Sequence, residues 1–388
     1  MKFFHTADWH LGKLVQGVYM TEEQRFVLNQ FLEEIDKEKP DAVVIAGDLY
    51  DRAVPPTEAV NLLDDILAEI ILKRHTPVLS IAGNHDSPGR LNFGSKLLKE
   101  AGLHIVGQLT KEPKAVILND EYGEVHFHLI PYADPSLVRH VLENESVTSH
   151  QTAMKAIIET IEKQFDPTKR HVFVGHAFVT PHGQEEENTS ESERPLAIGG
   201  AEYVGAALFK NFQYTALGHL HQAHYVLNET IQYAGSPLKY SISEEHHKKG
   251  FFIVELDEEG NATVEKRLLT PKRDMRTIEG YMQDILQQPI SEDFVFVKLL
   301  DETPILSPME QIRTVYPNAM HVERKILRQH NNSAESDTTP RRKMDDFTLF
   351  QSFYEEVSGK IPTEETEALF KEVLGQTIIE EREGGSEA

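Results

Sequence analysis

The sequence predicts a layered α/β fold, followed by a small α+β module and a pair of C-terminal helices. Three features carry that expectation. Strand-like and helix-like segments alternate through the first hundred residues. Several of the strands are continuous apolar runs, the pattern of a strand buried on both faces. Five short polar motifs each follow one of the strands, and in such sheets ligands collect at the carboxyl ends of strands. The motifs are Asp8-Trp9-His10, Gly47-Asp48-Leu49-Tyr50-Asp51-Arg52, Gly83-Asn84-His85-Asp86, Gly175-His176 and Gly218-His219-Leu220-His221.

Lys2 to Thr6 is a short apolar strand. Glu22 to Glu38 has Phe26, Leu28, Phe31, Leu32 and Ile35 at helical spacing. Ala42 to Ala46 (Ala-Val-Val-Ile-Ala) is the first strand expected to be buried on both faces. Thr57 to Lys73 is expected to be helical, with Thr57 as its N-cap after Pro55-Pro56. Pro77 to Ile81 is the next buried strand. Further strands are expected at Ala115–Leu118, Val125–Ile130, His171–Val174, Tyr214–Leu217, Ile231–Ala234 and Phe251–Leu256. A helix near Gln151 to Phe165 separates the second and third of these, and Thr263 to Leu269 closes an edge. The polar, acidic stretch Gly183 to Arg194 is expected to be a mobile loop.

Pro271-Lys272-Arg273 marks a boundary. The domain expectation is 1–270 for the layered domain, 271–328 for a capping module, 329–344 for a linker and 345–388 for a helical tail. Within the capping module the pattern is helix (Ile278 to Leu286), strand (Phe294 to Leu300), helix (Met309 to Val315) and strand (Ala319 to Arg324). In the tail, one amphipathic helix carries Leu349, Phe350, Phe353, Tyr354 and Val357. A second carries Leu369, Phe370, Val373, Leu374 and Ile378, with Thr363 as N-cap.

Each motif alone has an ordinary explanation. Asp8-x-His10 can be a turn, and Asp48 can cap a helix. Gly83-Asn84-His85-Asp86 suits a turn, since Gly and Asn tolerate left-handed backbone angles. A lone His176 is usually a hydrogen-bonded core histidine, and His219 with His221 can lie on an exposed strand. The conjunction argues otherwise: five independent turns do not all place ligand-type side chains at strand ends. Asp8, His10, Asp48, Asn84, His176, His219 and His221 form a mixed nitrogen and oxygen set able to hold two divalent cations. Without thiolate, the set suits Mn²⁺, Fe or Zn²⁺. Such two-metal sites activate water for in-line attack on phosphate esters. His85 remains beside them, suited to act on the leaving oxygen.

The order D-x-H, G-D-x-x-D-R, G-N-H-D, G-H and G-H-x-H resembles that of the calcineurin-like metallophosphoesterases, a layered sandwich fold. The resemblance implies that Asp8, His10, Asp48 and His221 hold one metal. It implies that Asp48, Asn84, His176 and His219 hold the other, with Asp48 bridging. His85 then acts on the leaving group, Asp51 orients His85, and Arg52 contacts phosphate. The capping module, the tail helices and Gly235-Ser236-Pro237-Leu238 extend the resemblance to the nuclease subunits of bacterial double-strand-break repair complexes. That implies a homodimer, Mn²⁺ as the favoured metal, DNA as substrate, and a partner ATPase with a long coiled coil. One departure is Asp51, where archaeal and eukaryotic relatives often carry histidine. The G-D-x-x-D-R form also occurs in protein phosphatases, so the motifs alone leave monoester and diester chemistry open.

The composition sets limits. The chain has 388 residues, 39 % apolar and 26 % charged, enough for two or three domains. It lacks cysteine, which excludes disulfides, thiolate zinc sites and cysteine nucleophiles and fits a reducing compartment. The first motif begins at residue 8 and no long apolar run follows, so a cytoplasmic protein, nucleoid-associated when on DNA, is expected. The net charge of −24 opposes DNA binding by bulk electrostatics. Met344 to Ala388 alone holds twelve acidic and three basic residues. A DNA-cutting chain of this charge needs a partner for much of its grip. Gly200 to Val204, Lys239, Lys248 and Lys249 are candidates for touching a nucleic-acid backbone, against the commoner alternative of solvated lysines. Leu62, Leu63, Ile66, Leu67, Ile70 and Ile71 form a band wider than one sheet contact needs, which fits either a helix buried between layers or, as the resemblance implies, part of a homodimer surface. The leading functional expectation is a two-metal DNA nuclease subunit, exo- and endonucleolytic, in repair and recombination. The alternatives are a stand-alone phosphatase or small-molecule phosphodiesterase, and a non-catalytic scaffold. The capping module and tail weigh against the first, and the full ligand set weighs against the second.

Overall fold

Lys2–Thr6, Ala42–Ile45, Val78–Ile81 and Leu103–Val106 pair in parallel, in that spatial order. Gly250–Leu256 and Ala262–Leu268 add to the other side of Lys2–Thr6 in antiparallel fashion, completing a six-stranded sheet. A second six-stranded sheet runs His224–Val226, Asn228–Tyr233, Tyr214–Gly218, Arg170–His176, Gly123–Ile130, Val116–Asp120. Its four inner strands are parallel and its two outer strands antiparallel. The edge strand expected near 263–269 is indeed the outermost strand of the first sheet. The computed structural model describes residues 1–183, 193, 202–324, 346–371 and 373.

The two sheets face each other across a shared core. Phe3, Val44 and Leu79 from one meet Phe127, Val174 and Tyr214 from the other. The Phe3 ring stands edge-on to Phe127 and Tyr214 at 5.4 and 5.6 Å. Helices cover the outer faces. Thr21–Glu38 and Thr57–Ala68 pack Leu28, Phe31, Leu62 and Ile66 with Phe4 and Val43. Pro135–Leu142 and His150–Glu162 pack Val138, Ile157 and Ile161 with Phe173 and Leu217. The result is a helix–sheet–sheet–helix sandwich, which is why the inner strands read as unbroken apolar runs. Among the described residues no helix is long and apolar enough to cross a membrane.

Several sequence expectations are corrected. In the first helix the solvent takes Phe26, and Val27 enters the core with Leu28, Phe31, Leu32 and Ile35. Thr57 is not an N-cap: Pro56 occupies that place, without a side-chain cap, and Thr57 is the first helical residue. The helix then widens into π-type hydrogen bonding over Glu69–Lys73. Its broad apolar band is core. Leu62, Leu63, Ile66, Ile70 and Ile71 are buried, because the band faces both the sheet and the neighbouring helix, whose Arg25 pairs with Asp65 at 3.1 Å. The exposed apolar side chains of this segment are Val60 and Leu72, and further along the chain Phe93 and Leu97 are 85 % and 80 % exposed.

The chain divides into two units, Met1–Arg276 and Thr277–Ala388. From the division onward a three-stranded sheet forms from Met275–Gly280, which spans the boundary, Phe294–Leu299 and Ala319–Arg324. The expected first helix, Ile278 to Leu286, begins as this strand, up to Gly280, and is helical only over Met282–Ile285. Ile278, Ile285, Val295, Val297, Ile312 and Tyr316 form its core. The helix expected at Met309 to Val315 is Pro308–Ile312. In the tail, Asp346–Ser358 is helical, and Thr363 Oγ1 accepts from the Thr366 amide at the start of a second helix over 364–371. The expected linker 329–344, the position of Leu374 and Ile378, and nearly all of Gly183 to Arg194 lie outside the described residues.

Candidate metal centre

Every motif lies at a strand's carboxyl end, and both sheets point those ends to one place. Asp8 follows Lys2–Thr6, Asp48 follows Ala42–Ile45, and Asn84 follows Val78–Ile81. His176 ends Arg170–His176, and His219 directly follows Tyr214–Gly218. The first two loops are laced by backbone hydrogen bonds: Asp8 N–H to Gly47 O (3.1 Å), His10 N–H to Asp48 O and Leu11 N–H to Leu49 O (both 2.9 Å). Gln24 ties the Asp8–His10 turn to its helix by donating to the Trp9 and His10 carbonyls, and Tyr240 donates to Trp9 O as well.

The backbone is strained here. Asp8, His10, Asp48 and His219 all have positive φ, at 54°, 43°, 51° and 107°. Such conformations cost non-glycine residues about 1–3 kcal/mol each and persist only where the surroundings over-determine them. The motif glycines have a packing reason. A Cβ on Gly83 would lie 2.1 Å from Asp48 Oδ1, and one on Gly47 2.5 Å from His176 Nδ1.

The side chains converge. Asp48 Oδ2 lies 3.6 Å from His10 Nε2 and 3.4 Å from His176 Nε2, between the two halves of the site. Asp48 Oδ1 accepts the His85 amide at 2.9 Å. Asp8 accepts the His219 amide with both oxygens, at 3.0 and 3.1 Å. Asn84 Oδ1 is 2.9 Å from His176 Nε2, and His10 Nε2 is 3.0 Å from His221 Nε2. The His219 ring centre is 5.4 Å from that of His176. His85 Nδ1 is 2.7 Å from the Asp51 carbonyl, and its ring stands edge-on to His10 at 4.6 Å. The contact with Asp51 is therefore made by the backbone. The Asp51 carboxylate instead pairs with Lys13 at 2.8 Å and lies 3.9 Å from His10 Nδ1. Arg52 is exposed at the rim.

The donor set fits divalent cations. His176 Nδ1 faces the Ala46 carbonyl at 2.9 Å, which assigns its proton there and turns the Nε2 lone pair to Asp48 and Asn84. His221 Nδ1 faces Glu244 at 3.1 Å, which likewise turns its Nε2 lone pair toward His10. Buried acceptors aimed at each other require a positive charge between them. Protons supply it in the chain alone. Against the cost of burial, Asp48 and Asp8 raise His176 to about 9. Burial raises Asp8 to about 7, whereas Asp48 is held well below the carboxylate range, against its burial, by His176, His10 and His85. Burial keeps His10 and His219 neutral, their range pushed well down. Groups of this kind exchange protons for a metal.

Three residues support the site in ways the sequence did not indicate. Asp86, inside a motif, accepts from the amides of Gly83, Leu49 and Tyr50 at 3.0–3.1 Å. Glu244 and Lys249 lie buried behind His221. Only the G-N-H-D string hinted at any of these. Lys249, a candidate for nucleic-acid contact, is buried and donates to His221 O and Ser236 Oγ. Lys239 donates to Asp274 at 2.7 Å, while Lys248 is exposed. Glu202 to Val204 border or form a strand paired with Phe178–Thr180, and Gly200 lies outside the described residues.

Residues 1–223 match the calcineurin-like phosphoesterase family, and residues 271–358 match the Type 5 capsule protein repressor C-terminal domain. The SbcD component of nuclease SbcCD from Staphylococcus epidermidis is 34 % identical over 390 residues, covering 99 % of this chain and 100 % of that protein. The SbcD component of nuclease SbcCD from Staphylococcus saprophyticus is 34 % identical over 364 residues, covering 93 % of this chain and 94 % of that protein. With more than half of its length in the first match and nearly all of it aligned to these relatives, the chain belongs to the calcineurin-like phosphoesterase family and, within it, to the SbcD nuclease proteins.

Proposed function

We propose that this chain is a metal-dependent nuclease subunit that hydrolyses DNA phosphodiester bonds, as exonuclease and endonuclease at ends and hairpins, together with an SbcC-type ATPase in DNA repair, recombination and replication. The observation that carries the reading is the Asp48 carboxylate, whose one oxygen faces His10 and His176 together. The full-length likeness to proteins named as parts of a nuclease supports it. The domain reading is a nuclease domain at 1–270, a capping domain at 271–328, a linker at 329–344 and a partner-binding tail at 345–388.

In this reading Asp8, His10, Asp48 and His221 hold one ion, and Asp48, Asn84, His176 and His219 hold the other, with Mn²⁺ the favoured metal. Two such ions supply an activated water and neutralise charge at phosphorus. Asp48 keeps the two halves in register. His85, fixed by the Asp51 carbonyl through Nδ1–H, presents Nε2 to deliver a proton to the departing sugar oxygen. Arg52, at the rim, reaches a flanking phosphate.

The tail supports a partner. Phe350 stacks on Phe370 at 3.9 Å, so the two helices cover each other in part. Phe353 and Leu369, both 62 % exposed, remain in solvent with Leu349, Val357 and Val373. Docking on the coiled coil of an SbcC-type ATPase would bury that stripe. Exposed Phe93 and Leu97 support a homodimer. A reducing, cytoplasmic setting on the nucleoid agrees with the absence of cysteine. The test is cleavage of hairpin and duplex-end DNA with Mn²⁺, with and without co-purified partner. Hydrolysis of phosphomonoesters with no cleavage of DNA under either condition would reverse the reading.

A further inference from the structure

Behind His221 lies a buried ion pair to which the two-metal reading gives no part. Glu244 is fully buried and Lys249 nearly so. Glu244 sits on a single tight helical turn, Ile242–Glu244, and Lys249 directly precedes the strand Gly250–Leu256. One Glu244 oxygen faces His221 Nδ1 at 3.1 Å, and the other takes the Lys249 ammonium at 2.5 Å. The same ammonium donates to the His221 carbonyl at 2.9 Å and to Ser236 Oγ at 2.8 Å. Ser236 returns to the histidine, its amide donating to His221 O at 3.2 Å. Glu193 Oε1 accepts the His221 amide at 2.6 Å. His221 is thus gripped at its ring, its carbonyl and its amide, and its Nε2 faces His10 Nε2.

Stability is a poor reason for this arrangement. Taking two charges out of water is costly, and apolar residues of like volume commonly serve as well. A carboxylate on the far nitrogen of a metal-ligating histidine does something apolar residues cannot: it fixes the tautomer, aims the ring and raises its basicity. A carboxylate placed in a dry site to do that needs a counter-charge, and Lys249 reaches both it and the histidine's own backbone.

We propose, on the basis of the two-metal reading, that Glu244 is the positioning residue that sets His221 to bind a divalent cation, and that Lys249 holds the Glu244 carboxylate in place. The ion so affected is the one shared by His10 and His221.

The test is calorimetric titration of the full chain with Mn²⁺, paired with thermal melts. Two double variants remove both charges together, so neither leaves a buried charge alone. Glu244→Gln with Lys249→Met keeps an acceptor for His221 Nδ1–H, whereas Glu244→Leu with Lys249→Met does not. The Glu244→Leu double variant is expected to bind one of two ions about 10–100-fold more weakly, with the other ion unchanged. The Glu244→Gln double variant is expected to restore most of that loss at a similar melting temperature. Should the Glu244→Leu double variant fail to fold, Glu244→Asp keeps the charge pair but draws the carboxylate away from the ring, and the same single-ion weakening is expected. Wild-type binding of two ions with unchanged affinities in the Glu244→Leu double variant, or in Glu244→Asp where that substitutes for it, overturns the proposal alone. Equal weakening of both ions in step with the melting temperature also overturns it, since that marks a merely structural role. Fewer than two ions in the wild type overturns the metal reading itself and this inference with it.

Discussion

Asp86 accepts the Tyr50 amide at 3.0 Å, across a sequence gap of 36 residues, and so holds the Asp48 loop against the Asn84 loop. The same carboxylate takes the Leu49 and Gly83 amides. Removing it strands three backbone donors, two of them buried. Asp86→Ala is expected to cost about 1–3 kcal/mol of stability and to lower metal occupancy. Denaturant melts with parallel metal analysis check this. Full occupancy with unchanged stability would show that the loops hold themselves.

Asp48→Asn should weaken both ions at once, because the neutral amide replaces the carboxylate that faces His10 and His176. Elemental analysis after dialysis is the measurement. Retention of two ions with full activity would remove Asp48 from the bridging position.

His85→Ala should spare metal content, since the bond from position 85 to Asp48 is made by a backbone amide that alanine keeps. Turnover should fall about 10²–10⁴-fold, the usual worth of a positioned proton donor. Loss of an ion in this variant would make His85 a ligand instead.

Stability should fall on acidification for a reason outside the metal centre. His5 bonds Tyr214 and Leu217, and His128 bonds His171, all in buried surroundings. Burial pushes both His5 and His128 down to about 3. Folded chains then bind fewer protons than unfolded ones between the unfolded value near 6.5 and about 3. The contribution is whole above pH 6.5 and is lost progressively as pH falls below it. His128→Gln should flatten the slope of unfolding free energy against pH between 6.5 and 4. An unchanged slope would show that His128 titrates normally.

Deletion of Asp345 to Ala388 is expected to abolish co-purification with an SbcC-type ATPase. Metal-dependent cleavage of a small phosphodiester should stay near the full-length rate. A truncated chain that still co-purifies at full yield would move docking elsewhere.

The five motifs are legible in the sequence because each is local: a strand end and a few residues fix it. What surrounds them is less so. Asp86 stands inside one of the motifs, but its work depends on amides 36 and 37 positions away. Glu244 belongs to no pattern and reaches His221 only through folding. Asp51 points to a side-chain role by its type, although its carbonyl makes the contact, a distinction that residue type does not encode. Val27, Leu28, Phe31 and Ile35 follow one face of the helix, whereas Phe26, about 100° round from Val27 and about 200° from Leu28, falls outside that stripe and is left to solvent. Ile278 fits the inward face of a strand as well as of a helix, and the buried Met275 three positions before it keeps the helical spacing, so only the pairing in the three-stranded sheet decides for the strand. The apolar band of 57–73 looks excessive only while its second neighbour, the helix Thr21–Glu38, is not seen to lie against it.

His10 and His221 meet at 3.0 Å although 211 residues separate them. Donors so far apart make the centre a late product of chain synthesis. A nascent chain that has not yet passed residue 218 carries neither His219 nor His221, and one that has both must still bring the second sheet against the first. Metal capture is therefore a readout of completed folding of the first unit. Fragments and stalled chains that stop before His221, and copies whose first unit is misfolded, are left without the means to cut, which confines a potentially damaging activity to chains whose first unit is complete.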